Sequence, residues 1–240
     1  MVAAASRLLL TTALLLGLLP GARADDPGST ALTQALARSA PALNRQVLTK
    51  AVTAMNCAVT GGVKPAQRLA IIDYSLPASK QRFWIFDLER RKLLVEDLVA
   101  HGRGSGDEMA TRFSNDLGSR QSSLGLFRTA ETYYGNFGWS LRIDGLEPGI
   151  NDLARKRKIV IHAGMYVDPI WIQLKGGIGR SYGCPTVRPN IINKVVENLK
   201  EGQFLFSYYP DPHWLDQSLY LHCAPDRVAA ILSPILHAKR

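Results

Sequence analysis

The stretch RLAIIDYSLPASKQRFWIFDLERRKLLVEDLVA, residues 68–100, decides the fold. It contains three runs rich in β-branched and aromatic residues, at 68–74, 82–88 and 92–100, and this composition is typical of strands. Only a charged turn at residues 89–91 separates the last two runs. A connection this short joins antiparallel neighbours, because parallel strands need a much longer crossover. The stretch therefore predicts the beginning of an antiparallel sheet.

Further runs of the same β-type composition follow this stretch. Further β-type runs are SLGLFRT (123–129), WSLRIDGL (139–146), KIVIHA (158–163) and FLFSYYP (204–210). Because little helix separates the runs up to residue 163, we expect a mostly antiparallel sheet that is closed or sandwiched. Residues 101–125, rich in glycine and serine, predict a long surface loop of the kind that is commonly functional or mobile. Residues 188–201 predict a helix that Gly202 ends.

The beginning of the chain predicts export. Residues 1–24 combine an early arginine, a leucine-rich run and a small-residue site ending at Ala24, the pattern of a secretory signal peptide. The leucine-rich run is too short to cross about 30 Å of hydrocarbon, and no later segment has the required ~20 apolar residues. After cleavage we expect no membrane span and a periplasmic or secreted protein of the bacterial envelope.

The remaining chain divides into three parts. Residues 25–64 carry apolar side chains at three-to-four spacing interrupted by Pro41, which predicts an N-terminal helical segment. Residues 65–210 hold the β-type runs and form the main domain. Residues 211–240 form a C-terminal extension packed on that domain, with a helix at 226–236.

Composition excludes several classes of protein. With 46% hydrophobic and 20% charged residues, the chain is neither disordered, collagen-like nor a disulfide-dense miniature protein. The formal net charge of +9 fits either an acidic polymer as partner or an ordinary soluble surface. The basic runs at 90–92 and 155–158 are short and lack interleaved aromatic residues, so we expect no nucleic-acid partner and interpret both as solvated turns or a rim facing a polyanion.

The three cysteines, Cys57, Cys184 and Cys223, are an odd number for an oxidising compartment, so at least one thiol stays unbridged. A bridge between Cys57 and Cys223 and two separate thiols are both compatible with the sequence. The chain has no CxxC pair and no cysteine near a histidine at metal-ligand spacing. We therefore expect no metal and no cofactor.

Candidate chemistry concentrates around Cys184. The segment GGIGRSYGC, residues 176–184, holds four glycines in nine residues, so its backbone can turn tightly with several amides directed at one centre. His162 ends the preceding β-type run, where side chains face a loop-built cleft. A thiol nucleophile needs a base to raise its thiolate fraction, and histidine can take the proton and return it to a leaving amine. For an arbitrary pair of this kind, a buried cysteine with a core histidine would be the ordinary structural alternative.

The amino-acid sequences of these segments resemble those of a known family. IHAGMYV (161–167) and GRSYGCPTVRP (179–189) are similar to the signature of the L,D-transpeptidase catalytic domain family, in its murein L,D-transpeptidase branch. Segments between residues 69 and 209, such as RFWIFDL and SSLGLFRT, resemble the same branch. The resemblance implies a mostly β fold with flanking helices, an L,D-transpeptidase-like β-sandwich or barrel preceded by an N-terminal helical segment, with residues 65–210 as the catalytic domain.

The resemblance also implies an enzyme and its site. Cys184 would be the nucleophile that forms a thioester, and His162 the general base and acid. The backbone amides of Tyr182, Gly183 and Cys184 would form the oxyanion hole, and Ser181 would shape the turn. Residues that could line the turn or bind substrate are Arg188, Arg180, Gly164, Tyr166 and His101, the last of which fits a structural loop equally.

Two positions depart from the pattern of the family. Tyr182 stands where its best-known members have histidine, and Thr186 stands where an arginine usually follows the cysteine by two residues. Arg188 is the nearest equivalent of that arginine and would bind a substrate carboxylate with two hydrogen bonds.

Three functions remain open on the sequence. The first is a peptidoglycan L,D-transpeptidase that acts on stem tetrapeptides, releases D-Ala and transfers the acyl group to an amine of a stem peptide, a protein or a D-amino acid. The second is an L,D-carboxypeptidase or amidase, in which water takes the acyl group. The third is a non-catalytic wall-binding protein, for which there is little reason to retain both Cys184 and His162.

Overall fold

The computed structural model describes residues 27–230, so the predicted signal peptide, residues 1–24, lies outside the described residues together with residues 231–240. Within the described part, every helix is too short or too polar to cross a lipid bilayer. Residues 225–230 are helical and contain the beginning of the predicted C-terminal helix, whose remainder lies outside the described residues.

A single sheet forms the body of the molecule. Across the described residues it has nine strands: β1 (Arg68–Asp73), β2 (Phe83–Asp87), β3 (Lys92–Asp97), β4 (Val99–Ala100), β5 (Gly125–Gly135), β6 (Gly138–Gly145), β7 (Val160–Ala163), β8 (Thr186–Val187) and β9 (Phe204–Tyr208). Their spatial order is β3-β2-β1-β9-β5-β6-β7-β8-β4. The pairs β1 with β9 and β7 with β8 are parallel, and the other pairs are antiparallel.

The sheet nearly closes on itself. The strands at its two ends, β3 and β4, are separated in the chain by Leu98 alone, so the first and last strands of the order must meet. This confirms the predicted fold class, a mostly β protein with flanking helices. All seven β-type runs of the sequence contain strands, and β5 continues to Gly135, six residues beyond its predicted run.

Helices cover the outside of the sheet. In the N-terminal segment, α1 (Pro27–Ser39) and α2 (Arg45–Thr60) form the predicted broken helix, and Asn44 caps α2 by accepting a hydrogen bond from the amide of Gln46 at 2.8 Å. Eight residues of α2 are buried against the sheet. Further helices are α3 (Pro169–Lys175), α4 (Ile192–Leu199) and α5 (Pro212–Gln217).

The parallel pair of β7 and β8 positions the candidate site. His162 of β7 lies opposite Thr186 of β8, and Cys184 comes two residues before Thr186. The fold thus places the turn of Cys184 directly before the strand that pairs with the strand of His162, although the two residues are 22 positions apart in sequence.

Candidate active site

The His162 ring has a defined partner at each nitrogen. Its Nδ1 lies 2.8 Å from the carbonyl oxygen of Ala163, and its Nε2 lies 3.1 Å from Oγ1 of Thr186. The Phe137 ring, at the tip of the β5–β6 hairpin, stacks on the imidazole with 4.5 Å between centroids. His162 is only 3% exposed, and this burial lowers the pKa of His162 below its ordinary value of 6.5, with the Ala163 carbonyl opposing the shift. Burial therefore favours the neutral imidazole.

Ser181 organises the turn that carries Cys184. Its hydroxyl donates to the carbonyl of Cys184 at 2.7 Å and accepts from the amide of Gly183 at 3.1 Å. Gly183 has φ of 125°, a conformation that disfavours any residue with a Cβ atom. These bonds give Ser181 the turn-shaping geometry that the resemblance implies.

One expected donor of the oxyanion hole is already engaged. The Gly183 amide donates to the Ser181 hydroxyl, so in this structure it is not directed at a substrate. The expectation of three amides is therefore reduced to the amides of Tyr182 and Cys184. The Tyr182 side chain itself is exposed, and the guanidinium groups of Arg103 and Arg120 lie 5.6 Å and 5.1 Å from its ring centroid.

Two loop segments, at Gly102 and at Ser122, pack against the turn that carries Cys184. Ser122 accepts from the amide of Gly102 at 3.0 Å and donates to the carbonyl of Gly183 at 3.1 Å. A Cβ atom on Gly102 would lie 2.3 Å from the carbonyl oxygen of Arg120 and 2.7 Å from the Cα of Gly183. Only glycine fits at this position, because backbone atoms surround it.

We expect Gly102→Ala to loosen the turn and to lower the free energy of unfolding by about 3 kcal/mol, the upper range for overpacking. Urea unfolding measures the loss, and the rate of Cys184 alkylation by iodoacetamide, which should rise, reports the opened turn. The control is Gly118→Ala in the same loop, where the added Cβ meets no atom within 4 Å. Its φ of 76° adds a backbone cost of about 1 kcal/mol, so this variant separates backbone strain from the clash at Gly102. Equal alkylation rates in the two variants would contradict the role of Gly102.

The surroundings of the Cys184 thiol disfavour its charged form. Its Sγ lies 3.8 Å from the carbonyl oxygen of Lys158, to which it donates, and the residue is half-buried. Burial raises the pKa of the Cys184 thiol above its ordinary value of 9.0, and a backbone hydrogen bond from Val160 and the charge of Arg157 oppose the shift only in part. Burial of both groups therefore favours the neutral thiol and the neutral imidazole, and the role of His162 as the base for Cys184 stays a prediction.

The raised pKa of the Cys184 thiol predicts how the rate of its alkylation depends on pH. Iodoacetamide reacts with the thiolate, so its rate at Cys184 should rise with pH to a midpoint above 9.0, because burial disfavours the charged form. Peptide mass spectrometry separates Cys184 from the other two cysteines. Protein unfolded in urea is the control and should titrate near the ordinary value. A midpoint near neutral pH would instead indicate a resting thiolate–imidazolium pair.

Arg157 is a functional candidate that sequence reasoning missed. Its guanidinium donates to Ser114 O and Gln121 O, both at 2.6 Å, and to the hydroxyls of Ser119 and Ser123. These bonds hold the loop between residues 114 and 123 beside the Cys184 turn. The interpretation of the run 155–158 as a solvated turn is therefore wrong for this residue. Its position in a run of basic residues gave no signal, because the oxygens it binds are distant in sequence.

Arg188 has an internal partner. Its Nε and Nη2 donate to the two carboxylate oxygens of Asp97, each at 2.7 Å, and this ion pair raises the pKa of Arg188. The two-pronged face expected to bind a substrate carboxylate thus binds Asp97 instead. The pair ties β8 to β3 and supports the closure of the sheet.

His101 lies behind the turn and not in a cleft. It is fully buried, with Nδ1 at 2.7 Å from Nη2 of Arg82 and Nε2 at 3.3 Å from the carbonyl oxygen of Gly106. Burial and the neighbouring charge of Arg82 lower the pKa of His101 to about 4. Of its two expected roles, the structure favours the structural one, because a buried ring cannot touch a substrate.

A cavity of about 620 Å³ opens beside the turn. Arg180 and Tyr166, both substrate-binding candidates from the sequence, line it together with Arg103, Asp107, Glu108 and Trp171. Arg180 forms an ion pair with Asp107 and donates to the carbonyl of Gly106 at 3.1 Å. The cavity therefore combines an aromatic wall with side chains of both charges.

Gly164 permits the contact between this cavity wall and the strand of Thr186. A Cβ atom on Gly164 would lie 2.7 Å from Cγ2 of Thr186 and 2.8 Å from the ring of Tyr166. With glycine there, the hydroxyl of Tyr166 reaches Oγ1 of Thr186 at 3.2 Å.

The remaining cysteines are separate thiols in the structure. Cys57 is fully buried in α2 with its Sγ 3.8 Å from the carbonyl oxygen of Leu219, whereas Cys223 is half-buried in the C-terminal extension. The bridge between them that the sequence allowed is therefore not formed here. Within residues 27–230, the His, Cys, Asp and Glu side chains form no cluster that could hold a metal ion.

The fold and site define a class of protein in which a histidine strand pairs with the strand that follows a cysteine turn, in a nearly closed sheet. The family model described as L,D-transpeptidase catalytic domain matches residues 39–208. The chain belongs to this family. No curated protein matches the chain.

Solved structures of L,D-transpeptidases are similar to this chain. The enzyme from Mycobacterium smegmatis is 13% identical with a TM-score of 0.36, and the match covers 60% of this chain and 59% of that chain. An L,D-transpeptidase from Stackebrandtia nassauensis is 12% identical with a TM-score of 0.36, covering 76% of this chain and 78% of that one. L,D-transpeptidase 1 from Mycobacterium tuberculosis is 10% identical with a TM-score of 0.33, covering 58% and 60%. The chain thus spans about three fifths of the first of these structures.

Proposed function

We propose that this protein is a peptidoglycan L,D-transpeptidase that acts through a thioester on Cys184. The observation that carries the proposal is the family match over residues 39–208, which includes both the strand of His162 and the turn of Cys184. The pairing of β7 with β8, which puts Thr186 opposite His162 two residues after Cys184, supports it.

The chemistry starts from a neutral pair. The Cys184 sulfur attacks the carbonyl that precedes the terminal D-Ala of a stem tetrapeptide, and the thiol proton passes to Nε2 of His162 as the carbon–sulfur bond forms. The oxyanion is stabilised by the amides of Tyr182 and Cys184, and loss of one such donor typically costs about 3 kcal/mol. When the tetrahedral intermediate collapses, the carbon–nitrogen bond breaks and the D-Ala amine takes the proton from His162.

The second half-reaction decides the outcome. An amine of a second stem peptide, a D-amino acid or a protein attacks the thioester carbonyl and gives its proton to His162, and Cys184 leaves as the thiol after proton return. Water in place of the amine would give an L,D-carboxypeptidase or amidase. The acyl acceptor therefore distinguishes a transferase from a hydrolase at the same site.

The cavity beside the turn is our candidate for binding the stem peptide. Its Tyr166 wall touches Thr186, the neighbour of His162, and its Arg103 edge stacks on Tyr182 at 5.6 Å. Cations at Arg103 and Arg180 suit the carboxylates of an acidic peptide, and the aromatic wall suits its apolar parts. Such a substrate fits the expected location in the periplasm or outside the cell.

Mass spectrometry of the products tests the proposal. The protein is incubated with a disaccharide-tetrapeptide, alone and with Cys184→Ala as control. A crosslinked dimer that has lost one D-Ala supports transpeptidation. A tripeptide monomer would indicate the hydrolase, and no change with either protein would favour a wall-binding protein.

A further inference from the structure

A chain of hydrogen bonds leads from the cavity to His162. The Tyr166 hydroxyl donates to Oγ1 of Thr186 at 3.2 Å, and Oγ1 lies 3.1 Å from Nε2 of His162. Thr186 is fully buried and Tyr166 half-buried, so these bonds compete with little water. The family usually has an arginine at the position of Thr186, so the contacts of Thr186 in this structure indicate its role.

The direction of each bond follows from the partner of Nδ1. A carbonyl oxygen only accepts, so the Ala163 carbonyl at 2.8 Å requires the proton of the neutral ring on Nδ1. Nε2 then carries the lone pair, and the Thr186 hydroxyl donates to it. The same hydroxyl accepts from Tyr166, so its donor and one of its acceptor sites are used.

The hydroxyl also fits the protonated ring. Once Nε2 has taken a proton it must donate, and the second lone pair of Oγ1 can accept from it. The Thr186 proton then turns to the carbonyl oxygen of Cys184, which lies 3.4 Å from Oγ1. The same rotation, made before the proton transfer, frees the lone pair of Nε2 for the thiol proton of Cys184.

We propose that Thr186, held in place by Tyr166, is a positioning residue whose rotating hydroxyl partners Nε2 of His162 before and after proton transfer. It keeps the Nε2 side of the ring oriented, while the Ala163 carbonyl fixes the Nδ1–H tautomer, and it neither attacks the substrate nor takes the thiol proton. Glycine at 164 serves the same arrangement, because a Cβ atom there would separate Tyr166 from Thr186. The proposal rests on the transpeptidase function proposed above.

Three variants test the role by the rate of D-Ala release. Thr186→Val keeps the shape and removes the hydroxyl, so kcat should fall about 10- to 100-fold, part of the usual contribution of general acid–base catalysis, with KM changed less than about threefold. Thr186→Ser retains the hydroxyl and should recover at least about a third of the wild-type kcat. Tyr166→Phe removes only the donor to Thr186 and should lower kcat about threefold, in a variant that keeps the ring packing.

The matched control is Thr129→Val. Thr129 is also buried, and its hydroxyl donates to the carbonyl of Leu199, away from His162. Its kcat should stay within about twofold of wild type, less than any loss expected at position 186. An equal loss in Thr129→Val and Thr186→Val, or an equal loss in the valine and serine variants at 186, would overturn the proposal. So would a change in KM alone.

A substrate-free measurement separates this proposal from the proposed function. Long-range proton–nitrogen NMR spectra report the tautomer of His162, whose signals are assigned by their loss in His162→Asn. We expect the Nδ1–H form in all three proteins, because the Ala163 carbonyl fixes it. The Nε2 nitrogen signal should move to higher frequency in Thr186→Val alone, because only that variant loses the hydrogen bond to Nε2. An Nε2 signal at the same position in all three would overturn the role of Thr186, whereas absence of D-Ala release from a wild type with the expected spectrum would overturn the transpeptidase alone.

Discussion

Cys184→Ala is expected to lower D-Ala release at least about 10⁴-fold, the scale on which removing a nucleophile acts. Alanine cannot form the thioester, and the neighbouring hydroxyls of Ser181 and Thr186 are already bound within the turn and to His162. The rate of D-Ala release measures the loss of turnover. The intact mass after incubation with a carbapenem measures acylation of the thiol, because the strained carbonyl of a carbapenem acylates an accessible thiol. Wild type should gain one adduct, and Cys184→Ala none.

The control for this loss is Cys223→Ala. Cys223 is also half-buried and lies in the C-terminal extension, so its variant should keep both the adduct and the rate. An adduct that persists in Cys184→Ala and disappears in Cys223→Ala would show that Cys223 is the reactive thiol and would contradict the role of Cys184. Persistence of D-Ala release in Cys184→Ala would rule out the thioester altogether.

The fold was largely predictable because its strands carry local signals. The alternating and β-branched runs identify the strands, and Pro41 divides the N-terminal helix in the structure as in the sequence. By contrast, α3 was missed, since none of its seven residues is buried and an apolar stripe is absent. The two-residue strand β8 was missed as well, because its pairing with β7 and β4 is decided by tertiary contacts.

The site was predictable to the extent that its residues are adjacent in sequence. The Cys184 turn and the His162 strand are each continuous motifs, and both are found near one another. Arg157, the Asp97 partner of Arg188 and the Phe137 ring over His162 come from distant segments. Which oxygens a guanidinium binds depends on loops that a single sequence does not align, so these contacts required the structure.

Arg82→Met is expected to cause the largest loss of stability. Arg82 is fully buried, and its guanidinium donates to the carbonyl of Val99 from Nε at 3.1 Å and from Nη2 at 2.9 Å. It also donates to the carbonyl of Leu76 at 2.8 Å and to Nδ1 of His101 at 2.7 Å. Burial lowers the pKa of Arg82 to about 10, so the group stays charged at neutral pH.

Methionine would fill much of the space but leave these acceptors without donors inside the core. Each buried acceptor without a partner costs about 1–3 kcal/mol, so we expect the free energy of unfolding to fall by about 3–5 kcal/mol. Urea denaturation with a fitted m-value measures it. Arg82→Lys, which keeps a charge and three donors, should lose clearly less, and an equal loss in both would mean that volume and not hydrogen bonding explains the effect.

The pH dependence of stability provides a second signature of Arg82. The folded pKa of His101 is about 4, below the ordinary 6.5, so the neutral ring contributes stability above pH 6.5 that is lost as the pH falls towards 4. The charge of Arg82 is one cause of this low pKa. Arg82→Met should therefore raise the pKa of His101 and make the stability of the folded protein fall less steeply between pH 6.5 and 4 than in wild type. An unchanged slope would show that burial alone keeps His101 neutral, and that Arg82 stabilises the fold only through its hydrogen bonds.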